Sequence, residues 1–357
     1  MLYIRFDKIQ SRVQGKSVEN FGGVFVRETN LFNWATSELS QDGFICWLMS
    51  FAKNSGINPQ LEACAWDFIH RIPSLENAKR LVSIERQVAV KIPDERQKGI
   101  IDVLLTVDDF KVKVVIEDKI FSPADDEQMD KYIEALKAVG EKKVVGVFYK
   151  PVLQWRFSEK YFTFKRDVLF SIFNPYKAKI NSDIFADYLE YLEYFESEEN
   201  AYKTLPISQW WGIRYQGFFQ HLKDSGLVPK DSWYGYVANV QGGFMCTNWG
   251  WKTPQHVQKF NFAGKHFEVL YLQLENNKIC VKMGLEHGNF NAADVRNAWD
   301  TVRNYFSGKL GAEFEFVRFA FSKGNKNARW LTVGYMLYDE KNYRQQIQRV
   351  QQLFDAL

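Results

Sequence analysis

Residues 99–132, GIIDVLLTVDDFKVKVVIEDKIFSPADDEQMDKY, leave the chain little choice of local structure. Ile100 to Val107 is an apolar run holding one acid, Asp102, and Asp108-Asp109 makes a polar break after it. Lys111 to Ile120 then alternates lysine and valine before closing on Ile116-Glu117-Asp118-Lys119. Period-two alternation of β-branched residues around a turn signal predicts a hairpin. Ser122-Pro123 stops the second strand, and the acidic stretch Asp125 to Glu127 suits the first turn of a helix.

The charges in this segment fall where apolar strands end. Side chains alternate along a strand, so Glu117 and Lys119 share one face while Asp118 takes the other. Asp102 on the partner strand can lie beside Glu117 across the ladder. Two carboxylates and an ammonium in such a place are costly to desolvate unless something offsets the cost. A divalent cation does so, and oxygen ligands suit Mg²⁺, which one or two carboxylates hold together with water and substrate phosphate. A lysine beside that cation can stabilise an attacking hydroxide or developing phosphate charge. The chemistry to which these residue types point is metal-assisted hydrolysis of a phosphodiester.

The same residues carry a resemblance. Asp102, then Glu117-x-Lys119, then a helix with Gln128-x-x-x-Tyr132, resembles the PD-(D/E)xK nuclease superfamily in its subgroup with a helical QxxxY motif. Glu38-Leu39-Ser40-Gln41-Asp42-Gly43-Phe44, continuing through Trp47-Leu48, resembles that group's first core helix. The likeness covers roughly residues 30–195, and Ile101 stands where the motif's proline would be. It implies an α/β restriction-endonuclease-like core, a mixed central sheet flanked by helices. It also implies a Mg²⁺ site, with Mn²⁺ as substitute, held by Asp102, Glu117, Asp118 through its carbonyl, and an acid of the first helix. Glu38 is the preferred helix acid, and Asp42 remains the alternative. Lys119 would position or activate water, Gln128 would orient it, and Tyr132 would contact the substrate backbone. The implied partner is nucleic acid, DNA first; a homodimer is left open.

Composition narrows the field elsewhere. The chain has 357 residues, room for about two domains of the usual size, and 46% hydrophobic content can fill real cores. Its formal net charge of +3 supplies no global field for nucleic acid, so any such surface must be local. Cys46, Cys64, Cys246 and Cys280 are scattered without CxxC pairing, which argues against a disulfide framework or a zinc site and for free thiols in a reducing cytoplasm. The N-terminal residues lack the apolar core of a signal peptide, and no apolar run approaches the ~20 residues of a membrane span. A soluble cytoplasmic protein without a membrane partner is expected. No glycine-rich loop with Gly-Lys-Ser/Thr exists, so ATP hydrolysis and kinase chemistry are not expected.

Along the chain, residues 1–30 read as peripheral strands or an arm. Phe44, Trp47, Leu48 and Phe51 predict a helix over Ser37 to Lys53 with Ser37 as N-cap. Pro59 to His70 reads as a second helix and Leu81 to Ile92 as the first strand of the sheet. After the hairpin and the Gln128–Val139 helix, Val144 to Tyr149 is a continuous apolar run, as in a strand covered on both faces. Strand, helix and strand make a βαβ crossover, so part of the sheet should be parallel. Tyr161 to Phe164 extends it, and helices follow over Arg166–Phe173 and Ser182–Phe195.

The domain division is placed at 203, with a nuclease-like domain over 1–203 and an α+β domain with an antiparallel sheet over 204–357 that serves substrate or partner binding. Helices are expected over Trp210–Leu222, Asn291–Ser307 and Asn342–Leu357. Strands are expected over Tyr234–Val240, Phe244–Asn248, Phe267–Leu274, Lys278–Met283, Phe314–Ser322 and Trp330–Leu337. Lys323, Lys326 and Arg329 on a Gly/Asn loop can contact phosphates, and Trp210, Trp211, Trp249 or Trp251 can stack on bases. The competing readings are solvated hairpin tips and core tryptophans. Taken together, the sequence is read as a Mg²⁺-dependent nuclease. The alternative is a catalytically silent member of the same fold that binds protein or nucleic acid.

Overall fold

The computed structural model describes residues 27–93, 98–108, 112–237, 243–253, 256–257, 267–285, 292–319 and 330–357. The chain divides into two compact units, one being Gly22–Ser197 and the other containing Glu198–Leu357. The arm expected over 1–30 lies almost wholly outside the described residues.

The first unit is built on a five-stranded mixed sheet. Its strands are β1 (Leu81–Lys91), β2 (Lys98–Val107), β3 (Val112–Asp118), β4 (Val144–Lys150) and β5 (Phe162–Lys165), in that spatial order. The hairpin β2/β3 is antiparallel, as is β1/β2, while β3/β4 and β4/β5 are parallel. Parallel pairing of β3 with β4 requires a crossover, which α3 (Asp126–Ala138) supplies. Asp125 caps that helix, its carboxylate accepting from the Glu127 amide.

The neighbours Phe148 and Tyr149 show how the two faces are covered, because successive strand residues point to opposite sides. Phe148 joins Leu104, Val115, Met129, Tyr132 and Leu136 in the layer beneath α3. Tyr149 faces the layer formed by α1 (Glu38–Lys53), α2 (Pro59–His70) and α5 (Asp183–Asn200), where it packs on Phe68 and bonds Tyr188. A further helix, α4 (Arg166–Phe173), follows β5. Glycines let α3 approach closely: a Cβ on Gly146 would sit 2.7 Å from the Met129 sulfur, and one on Gly99 would sit 2.6 Å from the Tyr132 ring. Ser37 precedes α1 as expected, but its side chain makes no cap bond to the helix backbone and instead meets the Ser40 hydroxyl.

The second unit carries a six-stranded antiparallel sheet in the order β10-β11-β9-β8-β7-β6. These strands are β6 (Tyr234–Val237), β7 (Phe244–Lys252), β8 (Phe267–Glu275), β9 (Lys278–Leu285), β10 (Phe314–Phe316) and β11 (Trp330–Leu337). Leu270, Leu272 and Leu274 alternate into the core with Val281 and Met283. Helices α6 (Gly212–Asp224), α7 (Ala292–Leu310) and α8 (Tyr343–Asp355) accompany the sheet. Strand β7 runs four residues past the expected end at Asn248, its register shifting between Trp249 and Lys252 around Gly250 at φ +72°. By contrast β10 stops at Phe316, because only Phe314 to Phe316 pair with β11. Among the described residues, no helix is long and apolar enough to cross a membrane.

Candidate active site

The expected cluster lies in the first unit where β2, β3, α1 and α3 meet. The β2/β3 ladder ends at Val103 opposite Ile116, and extending its register by one rung sets Asp102 against Glu117 on one face of the strands. Asp102 is half-buried and Glu117 is 1% exposed. The Asp118 amide donates to Asp102 Oδ2 over 2.9 Å, holding that carboxylate against the end of β3. Lys119 Nζ donates to Glu117 Oε1 at 2.6 Å. Glu117 Oε2 is buried and has no hydrogen-bond partner.

Burial sets the electrostatics. Loss of water pushes Glu117 up to about 8 despite the opposing charge of Lys119, and nearby Asp102 adds to the rise. Asp102 is raised by burial too, with the Asp118 amide, Lys119 and Gln87 resisting. Burial alone would lower Lys119, but the charge and hydrogen bond of Glu117 outweigh it, so its pKa rises. Lys119 is therefore a cation at any working pH, able to hold a water or an oxyanion and unable to take up a proton.

The remaining expected residues are placed as follows. Glu38, on the first turn of α1, accepts from the Ile120 amide at 3.0 Å and the Ser122 hydroxyl at 2.7 Å. Its charge still acts on Asp102, Glu117 and Lys119. Asp42, one turn on, is fully buried and pushed up to about 7 by burial and by Asp102. The side chain of Asp118 points to the other face of β3, where Gln41 donates to it and Tyr188 donates to Gln41 at 3.0 Å. Burial holds the Asp118 carboxyl well above its ordinary range, as expected of a proton-retaining scaffold acid. Gln128 and Tyr132 share a face of α3 and bond each other at 2.8 Å, and the Tyr132 hydroxyl lies within reach of the Glu117 and Lys119 charges.

In the second unit, Trp249 and Trp210 are core residues, and Trp211 donates its indole N–H to Glu198. Trp251 is 52% exposed and stacks on Tyr271 with ring centres 4.3 Å apart. Lys323, Lys326 and Arg329 lie outside the described residues.

No family model, curated protein or solved structure matches this chain.

Sequence reasoning missed Gln87. It sits in β1 opposite Asp102, at φ +54°, and its amide donates both to Asp102 Oδ1 at 3.1 Å and to Asp42 Oδ2 at 3.0 Å. A left-handed backbone at a non-glycine strand residue costs on the order of 1 kcal/mol and persists where surrounding structure demands it. Nothing in the alternating Ile84-Glu85-Arg86-Gln87-Val88 run distinguishes this glutamine from a solvated one. Gln87→Gly frees the backbone and deletes the amide. The variant should melt within about 2 °C of wild type yet bind Mn²⁺ roughly tenfold more weakly, as loss of a ligand-orienting partner does. Calorimetric titration checks this, and unchanged affinity would leave Gln87 without a role at the site.

Proposed function

We propose that the first unit is a Mg²⁺-dependent nuclease of the PD-(D/E)xK type, hydrolysing phosphodiester bonds of nucleic acid, most readily DNA. The observation that carries this reading is the close approach of Asp102, Glu117 and Lys119 at the end of the β2/β3 ladder: the charges of Asp102 and Lys119 act on Glu117, which also has a buried oxygen that lacks a partner. An orphaned buried carboxylate oxygen beside a second carboxylate fits a hard cation, because it turns a desolvation penalty into a ligand bond. Asp102 and Glu117 would hold the ion, leaving its other positions to water and substrate phosphate. When bound, Mg²⁺ would supply Lewis-acid stabilisation of the phosphoryl oxygens and a more acidic water.

The chain's own groups do the rest. Gln87 and the Asp118 amide fix the Asp102 carboxylate in orientation. The permanent charge of Lys119 holds the nucleophilic water or the charge growing on the phosphoryl oxygens. The hydroxyl of Tyr132, oriented by Gln128, offers a donor to the substrate backbone. Burial of Glu117 keeps bulk water away from one side of the reacting group.

A second reading, a binding module that keeps this layout without chemistry, draws on one observation. Glu38, the expected helix acid of the metal site, is already engaged by the Ile120 amide and the Ser122 hydroxyl. Incubation with supercoiled plasmid and single-stranded DNA separates the two. The nuclease reading expects cleavage with Mg²⁺ or Mn²⁺ that stops with EDTA and in Asp102→Asn. DNA binding without metal-dependent cleavage in wild type would establish the module instead.

A further inference from the structure

Beside the acid cluster, the first unit has a groove of about 380 Å³ with mostly apolar walls. Its lining draws Leu39, Ser40, Gly43, Phe44 and Trp47 from α1, Leu31, Phe32, Ala35 and Ile184 from the flanking segments, and Arg86 from β1. Two features place it next to the candidate catalytic residues. Helix α1 carries Glu38 and Asp42 toward the cluster, and the neighbouring residues Leu39, Ser40 and Gly43 toward the groove. Arg86 also lies close enough to Asp42 for its charge to act on that carboxylate, and its neighbour Gln87 bonds both Asp42 and Asp102.

Arg86 is exposed, and its one hydrogen bond among the described residues is a long 3.4 Å contact to the Leu39 carbonyl. No carboxylate stands within ion-pair distance of it among those residues. A mostly apolar groove that includes the half-buried Trp47 ring and one guanidinium matches a ligand that is planar and apolar in one part and anionic in another. We infer that the groove receives an unpaired nucleobase, with Arg86 meeting the adjoining phosphate, so that the substrate is single-stranded or locally frayed nucleic acid. Base–aromatic stacking tolerates any sequence because every base offers a π face, and arginine adds a planar cation suited to phosphate. An apolar protein segment would fill the slot equally well but would leave Arg86 without a counter-charge.

This inference rests on the nuclease reading for its substrate class, and its test works without metal. Gly43 offers the variant. A Cβ built there meets only Arg86 Nη1, at 3.7 Å, so a larger side chain enters open space in the groove, and a helix interior accepts leucine better than glycine. With EDTA present, wild type should bind a fluorescent oligothymidylate about tenfold more tightly than an abasic phosphodiester chain of equal length. Gly43→Leu should erase that preference at unchanged melting temperature, Gly43→Ala should keep it, and Arg86→Ala should weaken both ligands.

Equal binding of the two chains by wild type, or a preference that survives Gly43→Leu, overturns the inference. An apolar dye that occupies wild type but not Gly43→Leu, and that oligothymidylate fails to displace, assigns the groove to a protein segment and also overturns it. Base preference in a protein that never cleaves would remove the nuclease reading and keep the nucleobase site. Cleavage without base preference would do the reverse.

Discussion

Glu117→Gln should make the metal-free protein harder to melt at pH 8–9 while removing the stabilisation that Mg²⁺ gives wild type. The sign follows from which state holds the proton more tightly. Folded protein keeps Glu117 protonated up to about 8, whereas the unfolded chain releases that proton near 4.5. The folded state gains from the higher affinity below the unfolded value, and the gain is lost as pH rises through about 8. At about 1.4 kcal/mol per unit, the rise from 4.5 to about 8, which already includes the opposing charge of Lys119, is worth on the order of 5 kcal/mol. For a unit of this size that corresponds to roughly 10–20 °C in melting temperature.

Wild type without metal should therefore lose stability steadily from pH 5 to 9, and saturating Mg²⁺ should flatten the slope. Glutamine keeps the shape and a hydrogen-bonding oxygen but cannot ionise, so most of the slope should vanish with it. Asp42, pushed up to about 7 on the same grounds, accounts for what remains together with Asp102 and Asp118, both raised by burial. Scanning calorimetry across that range decides the matter. A flat wild-type profile, or equal protection of Glu117→Gln by Mg²⁺, would show that this carboxylate neither suffers from burial nor meets a cation.

Lys119→Ala should reduce Mg²⁺-dependent cleavage about 10³-fold, comparable to removing a principal donor from an oxyanion site. The size of the effect comes from where the ammonium sits: 13% exposed, against a carboxylate that is 1% exposed, so its field is little screened by solvent. Because Glu117 raises its pKa, the loss is one of charge and hydrogen bonding, and the wild-type rate should show no titration belonging to a neutral lysine. Lys119→Arg should recover part of the rate. Metal affinity should hold or tighten in Lys119→Ala, since the competing partner of Glu117 is gone. Equal nicking by wild type and Lys119→Ala would refute the assigned role.

The parts of the molecule legible in the sequence are those fixed by local patterning. The apolar run Val144–Tyr149, the β2/β3 hairpin and the capped start of α3 follow from alternation, turn chemistry and charge placement. So does the β2/β3 register, whose last pair, Val103 opposite Ile116, brings Asp102 and Glu117 together at the end of the ladder. Tertiary partners were not legible. Gln41 and Tyr188 are 147 positions apart, and no local rule marks them as the pair that engages Asp118. The same limit hid Gln87, whose signal is a backbone angle, and it left Trp249 and Trp251 alike on paper although one is core and the other faces solvent.

The opposite orientations of Glu117 and Asp118 restrict how this lobe can change length. A deletion or insertion of one residue inside β3 would exchange them, seating the wrong carboxylate against Gln41 and turning the other away from Asp102. Natural length variation should accumulate between Asp108 and Val112, while the spacing from Ile116 through Lys119 stays invariant.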